Sequence, residues 1–251
     1  MASVLKMLYN KTGVSKIIKR QISIRQELIS LNKKSDELCW AMIFNNTIAD
    51  STWLQNKSFS PGRWAAGYSL LYLLYRIYNE IKPKNILEFG LGESSKLTCQ
   101  YNDAFSTSRF CIVEHDALWI DFFSVRVAGI KKHIVLLPIE YTTIDSTEVI
   151  RYKNLLDNIG PGKYDMVVID GPWGSPDYSR YEIIDLVLND RLAENFIIIM
   201  DDYNRTGEKQ TIKKLRGILN QKNIPFSEGV YSGIKDVCII CSKAYRFLTS
   251  L

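Results

Sequence analysis

The stretch Asn85–Ser95, N-I-L-E-F-G-L-G-E-S-S, constrains the fold more than any other part of the chain. Ile86, Leu87 and Phe89 form a short apolar run that suits a buried strand. Gly90 and Gly92 then allow a sharp turn and a close approach of backbone to a ligand. Ser94 to Tyr101 can open a helix, capped by Ser94 or Ser95, whose first amides point into the gap left by the turn. Taken alone, the same pattern also describes an ordinary strand-to-helix turn without a ligand.

The remainder of the chain repeats the alternation. Arg109–Val113, closed by Glu114, reads as a second strand, His115–Ala128 as a helix and His133–Pro138 as a third strand. Lys163–Asp170 gives a fourth strand, Tyr178–Leu192 a helix, Asn195–Asp201 a fifth strand and Thr206–Gln221 a charged amphipathic helix. Pro225–Tyr231 and Lys235–Cys241 pair as a terminal hairpin through Ser232 and Gly233. Nearly continuous β-branched runs between helices indicate a mostly parallel sheet covered on both faces. The expectation is therefore an α/β fold: a doubly wound, seven-stranded, mostly parallel sheet of Rossmann-like type.

Before this sheet, Ser60 and Pro61 look like the cap and first residue of a helix reaching Glu80, with Trp64, Tyr68, Leu71, Tyr75 and Tyr78 on its packed face. Met1–Asn32 reads as one or two basic amphipathic helices, and Asn32–Ser60 has no regular period, with Trp40 and Trp53 as anchors. The division expected is a helical extension over 1–59 and a ligand-binding domain over 60–251. The extension has the character of a docking segment, for its own domain, a twin subunit in a homo-oligomer, or an anionic lipid surface as a peripheral membrane contact.

A net charge of +5 permits contact with an anionic glycan, lipid or nucleic acid without requiring any of them. No basic stripe suits a phosphate backbone, so nucleic acid is not the expected partner. Five cysteines in no metal-binding pattern, with no secretory leader, point to a reducing, cytoplasmic setting. Cys238 and Cys241 have C-x-x-C spacing, but on a strand they would face opposite sides and serve as buried thiols.

In such a sheet, ligands bind beyond the carboxyl ends of the strands. Those ends carry Glu88, Glu114, Asp170, Asp201 and Asp202. Glu88 would repel a pyrophosphate but can receive a cationic amino group. Glu114 follows the glycine turn by the interval at which βαβ nucleotide sites place an acid on ribose hydroxyls. At these residues the chain resembles the class I S-adenosylmethionine-dependent methyltransferases: Glu88, Gly90, Gly92 and Glu114 match their acid-x-Gly-x-Gly motif and second-strand acid. Ser95 stands where dinucleotide folds often keep a third glycine.

The resemblance spans about residues 60–243 and implies S-adenosylmethionine held by Glu88, Gly90, Gly92, Ser94, Ser95, Glu114, His115 and Asp170. The form D-G-P-W-G from Asp170 to Gly174, with the L-E-F-G-L-G and V-E-H-D stretches, is similar to bacterial surface-glycan methyltransferases and plant glucuronoxylan methyltransferases. That implies O-methylation of a glycan or sugar-like hydroxyl. N-methylation of a base or small metabolite, a binding protein without catalysis, and a dehydrogenase are the alternatives. Gly171 stands where the base-directed enzymes carry a proline, and Glu88 opposes a dinucleotide.

Two routes to activating the acceptor follow. Asp170 or Asp202 can take its proton directly. Alternatively Asp170, Asp201 and Asp202 can hold Mg²⁺ or Mn²⁺, as catechol-type members of the fold do. Asp170 and Asp201 match that metal pattern, while Asp202 stands where it has Asn. Each acid has a plainer reading as a turn former or helix cap.

Overall fold

A computed structural model describes residues 14–62 and 64–250. The motif stretch forms β1 (Asn85–Phe89) running into a helix, α3 (Glu93–Phe105), preceded in the chain by α1 (Val14–Ile48) and α2 (Tyr68–Glu80). Next come β2 (Arg109–Glu114), α4 (Ala117–Arg126), β3 (Ile134–Leu136), the hairpin β4 (Ile139–Ile144) and β5 (Thr147–Tyr152), and the short α5 (Leu155–Asn158). The chain closes with β6 (Tyr164–Ile169), α6 (Glu182–Leu188), β7 (Leu192–Met200), α7 (Thr206–Gln221), β8 (Phe226–Tyr231) and β9 (Val237–Ser242).

Seven strands form one sheet in the order β3-β2-β1-β6-β7-β9-β8. The first five run parallel, and β9 enters antiparallel between β7 and β8. This is the doubly wound, seven-stranded, mostly parallel Rossmann-like sheet expected from the sequence. Every residue from Ile86 to Phe89 and from Met166 to Ile169 is fully buried, because helices cover both faces. One core packs α1, α2, α3 and α4 on the first face, and the other packs β5, α5, α6 and α7 on the second. Cys241 belongs to the first core and Cys238 to the second, as strand alternation requires.

Several boundaries differ from the expectations. The helix before β1 starts at Tyr68 rather than Ser60, because Gly62 adopts φ +105°, which no helix contains. Its first amide, Tyr68 N–H, is capped by Glu37 Oε1 at 2.8 Å rather than by Ser60, and Trp64 stands 90% exposed off the packed stripe. The helix expected from Tyr178 begins only at Glu182, since Tyr178 and Arg180 lie at φ +49° and +57°. The two-stranded β4–β5 sheet lies in a stretch to which the sequence assigned no element. Residues 1–13 of the basic extension lie outside the described residues.

The region of no regular period is helical as far as Ile48. Its docking face needs only Trp40, Phe44 and Ile48, spaced four apart, so the signal is narrow. Trp40 packs its ring at 5.4 Å from Tyr72 and 5.5 Å from Tyr231 and donates Nε1–H to Ser232 O at 2.6 Å. Glu37 Oε2 accepts from Ile234 N–H, and Lys33 pairs with Asp236. The last part of α1 therefore fixes the β8–β9 turn. Trp40→Ala should lower stability by about 3–5 kcal/mol, read as a lower urea midpoint at unchanged slope. A midpoint within error of the wild type would mean that α1 does not belong to this core.

Candidate active site at the carboxyl edge of the sheet

A cavity of about 1160 Å³ opens where β1, β2, β6 and β7 end. It exceeds the roughly 300–1,000 Å³ typical of a single small-molecule site, leaving room for more than one small ligand. Gly90, Glu114, His115, Asp170 and Asp202, all singled out from the sequence, line it. Gly92, Glu88, Ser94, Ser95 and Asp201 stand behind this lining layer.

The first glycine serves a different purpose from the one its motif suggests. At φ +91°, Gly90 lies against the end of β6, where a Cβ would meet Asp170 C at 3.0 Å and Gly171 N at 3.1 Å. A Cβ on Gly171 would in turn lie 2.8 Å from Gly90 N and 2.7 Å from Tyr152 Oη. The two glycines thus let the ends of β1 and β6 touch backbone to backbone. Gly92 has open space where its Cβ would be, so no close packing requires a glycine there.

Gly92, rather than Ser94 or Ser95, is the N-cap of α3. Ser95 Oγ accepts from Gly92 N–H at 3.1 Å, and Ser94 Oγ donates to Glu88 Oε1 at 2.5 Å. Glu88 lies fully buried beneath this first turn, and its Oε2 has no partner. Burial pushes its pKa up to about 8; hydrogen bonds from Ser94, Ser95 and Thr98 oppose the shift and the nearby Asp170 adds to it.

Glu114 Oε2 accepts from Leu91 N–H at 2.9 Å, and its Oε1 accepts from the amides of His115 and Asp116 at 2.6 and 3.0 Å. Burial would raise its pKa, yet the adjacent His115 ring and the hydrogen bonds from these amides win, and it is lowered. Of roughly four acceptor sites on a carboxylate, one is left for a ligand. His115 Nδ1 lies 2.9 Å from Glu114 Oε1 without hydrogen-bond alignment, and the His115 ring meets Trp173 edge-on at 4.6 Å. Asp116, not His115, caps α4, accepting from Leu118 and Trp119 amides.

The other strand ends form a buried ionic cluster. Asp170, Asp201 and Asp202 bring one oxygen each within 4.8 Å of one another. Arg180, buried, donates to Asp170 Oδ1 at 3.0 Å and to Asp202 Oδ2 at 2.7 Å. Lys235 Nζ lies 2.9 Å from Asp201 Oδ2 and 3.5 Å from Asp202 Oδ1, and Arg205 adds a third cation 3.0 Å from Asp202 Oδ2. A divalent ion does not fit this set, because the Lys235 ammonium already sits between Asp201 and Asp202 and the Arg180 guanidinium spans Asp170 and Asp202.

Burial, then the charge of Asp201, raises the pKa of Asp170, with Arg180 and Lys235 opposing. Only its Oδ1 is engaged by the cluster. Asp202 faces three cations, so of the two acids expected to take a proton, Asp170 is the one whose oxygens are not all committed.

Arg180, Lys235, Arg205 and Tyr152 were not singled out from the sequence. Tyr152 reaches the cavity from the unassigned hairpin and donates its hydroxyl to Val113 O at 3.1 Å. The loop 171–180 is held by Ile150 N–H on Ser175 Oγ and by Ser179 Oγ on Glu208 Oε1. Gly207 makes room for that loop, since a Cβ there would lie 2.5 Å from Ser175 O.

No protein-family model matches the chain, and no curated protein matches it. Solved structures similar to it include an SAH-bound methyltransferase of Podospora anserina, at 13% identity and a TM-score of 0.48, covering 89% of this chain and 96% of that one. An O-methyltransferase of Bacillus cereus in complex with SAH is 14% identical at a TM-score of 0.48, covering 84% and 92%. A precorrin-6y C5,15-methyltransferase of Geobacter metallireducens is 14% identical at 0.44, covering 77% and 95%. Similarity at this level assigns no activity and no residue role to this chain.

The Glu88 carboxyl has an ordinary value of 4.5 and a folded value of about 8. The folded chain thus keeps a proton that the unfolded chain releases, so stability should fall as pH rises between those values. Glu88→Gln, which cannot ionise, should flatten this fall in part, the rest arising from Glu182 and Asp170, whose pKa values are also raised. Thermal melts at pH 6 and pH 9 check this. An unaltered pH slope in Glu88→Gln would show that Glu88 is ionised in the fold.

Proposed function

We propose that this chain is an S-adenosylmethionine-dependent O-methyltransferase acting on a sugar-like hydroxyl. The observation that carries the reading is Glu114 in the cavity wall, with one acceptor position left open, beside the acidic cluster at the ends of β6 and β7. Glu114 is suited to ribose hydroxyls. In the ionic cluster Asp170, Asp201, Asp202 and Glu208 outnumber Arg180, Arg205 and Lys235, which favours a cationic ligand. S-adenosylmethionine, when bound, supplies a methyl group activated by a sulfonium.

The work left to the protein is to align an acceptor hydroxyl and take its proton. Asp170 serves as the base, its raised pKa placing it closer to neutrality than an exposed aspartate. Arg180 holds that carboxylate in place. Trp173 and Trp64, 60% and 90% exposed, line the same cavity and offer flat apolar faces to the C–H face of a saturated ring. This favours a glycan-type acceptor over a small catechol or amine. No divalent metal takes part in this reading, because Arg180 and Lys235 hold the acidic cluster.

Transfer of isotopically labelled methyl from S-adenosylmethionine to a panel of oligosaccharides, catechols and nucleobases tests it. Oligosaccharides should be labelled, with full activity after exhaustive chelation. Asp170→Asn should lower kcat by about 10²–10⁴. Labelling confined to catechols or bases, or activity lost on chelation and restored by Mg²⁺, would contradict it.

A further inference from the structure

Helix α1 is 35 residues long, about 50 Å, and among the described residues only its carboxyl part rests on the body. Ile17, Ile24, Leu31 and Leu38 recur at every seventh residue along it and are 58%, 47%, 59% and 67% exposed. Val14, Leu28 and Met42, also exposed, occupy the alternate positions of the same heptad, with Gln21 and Ser35 between them. At about 100° per residue, Leu31 lies opposite Trp40, so this seam faces away from the side that docks on the body. An unpartnered helix with a sustained seven-residue apolar repeat has the pattern of a coiled-coil strand.

We infer that α1 pairs with α1 of a second copy of this chain as an antiparallel coiled coil. The charges beside the seam select this orientation. A parallel pair would set Arg20 of each helix against Arg25 of the other. An antiparallel pair in which Leu28 meets the other copy's Leu31 instead sets Glu27 beside the other copy's Lys34, twice by symmetry. In that register Gln21 and Ser35 meet the other helix's Leu38 and Ile24, so no layer buries two polar side chains against each other. A helix lying on a membrane gathers its apolar residues on one broad face. Here Ile22 and Ile29 lie on the Trp40 side and Leu31 on the opposite side, which fits a narrow seam better. The pairing leaves the contacts of Lys33, Glu37 and Trp40 with the body intact.

Sedimentation velocity on the full chain should give a species of twice 28.9 kDa. Leu31→Glu, at an exposed position of the single copy, should be monomeric with an unchanged melt of the body. Glu27→Lys should weaken the dimer by about tenfold, because two attractive pairs become repulsive. Glu27→Lys/Lys34→Glu should restore it. A wild-type chain that stays monomeric, or one that is monomeric in buffer and binds phosphatidylserine vesicles through α1, overturns the proposal. A double variant that stays as weak as Glu27→Lys overturns the antiparallel register.

Discussion

Three strand-end carboxylates held within 4.8 Å of one another must be neutralised, and the rest of the site follows from how this chain does it. Uncompensated charges in so dry a place would cost several kcal/mol each. Arg180 and Lys235 meet that demand, one from the loop after β6 and the other from the turn between β8 and β9. Each cation ties a mobile class of element, a loop or a turn, to the rigid edge of the sheet. The cluster is thus a clasp as well as a source of negative charge.

The clasp links distant parts of the chain. The β8–β9 turn that carries Lys235 is gripped by Lys33, Glu37 and Trp40 of α1, so the helix before the sheet helps to set a charge in the cavity wall. The loop that carries Arg180 is fastened to the β4–β5 hairpin through Ser175 and to α7 through Ser179. Gly90 and Gly171 bring β1 and β6 together beneath the cavity, which puts Glu88 close enough to Asp170 for their charges to interact.

Much of this was legible in the sequence because it depends on local pattern. Apolar runs at β1, β2, β6 and β7 mark buried parallel strands, and the acids that end them mark the carboxyl edge. What was hidden depends on partners far along the chain. The sequence displays Asp170, Asp201 and Asp202 but not the cations that fold back onto them, and so they resemble a metal site. Lys235 lies in S-G-I-K-D, an ordinary-looking turn. The hairpin that brings Tyr152 turns through Asp145 and Ser146, both at positive φ as in a two-residue hairpin turn, but neither is the glycine that would mark such a turn in a sequence. Glu88 was placed on the correct strand, but its burial under Ser94 is a matter of side-chain packing that spacing does not reveal.

The proposed function requires the carboxyl edge to hold an adenosyl sulfonium donor, with Glu114 on its ribose. Calorimetric titration of S-adenosylhomocysteine into the wild-type chain and into Glu114→Gln tests it most directly. One site of micromolar-range affinity, about −8 kcal/mol, is expected, weakened about tenfold or more in the variant, with NADH unable to compete. No binding by the folded wild type, equal affinity in the variant, or displacement by NADH would contradict it.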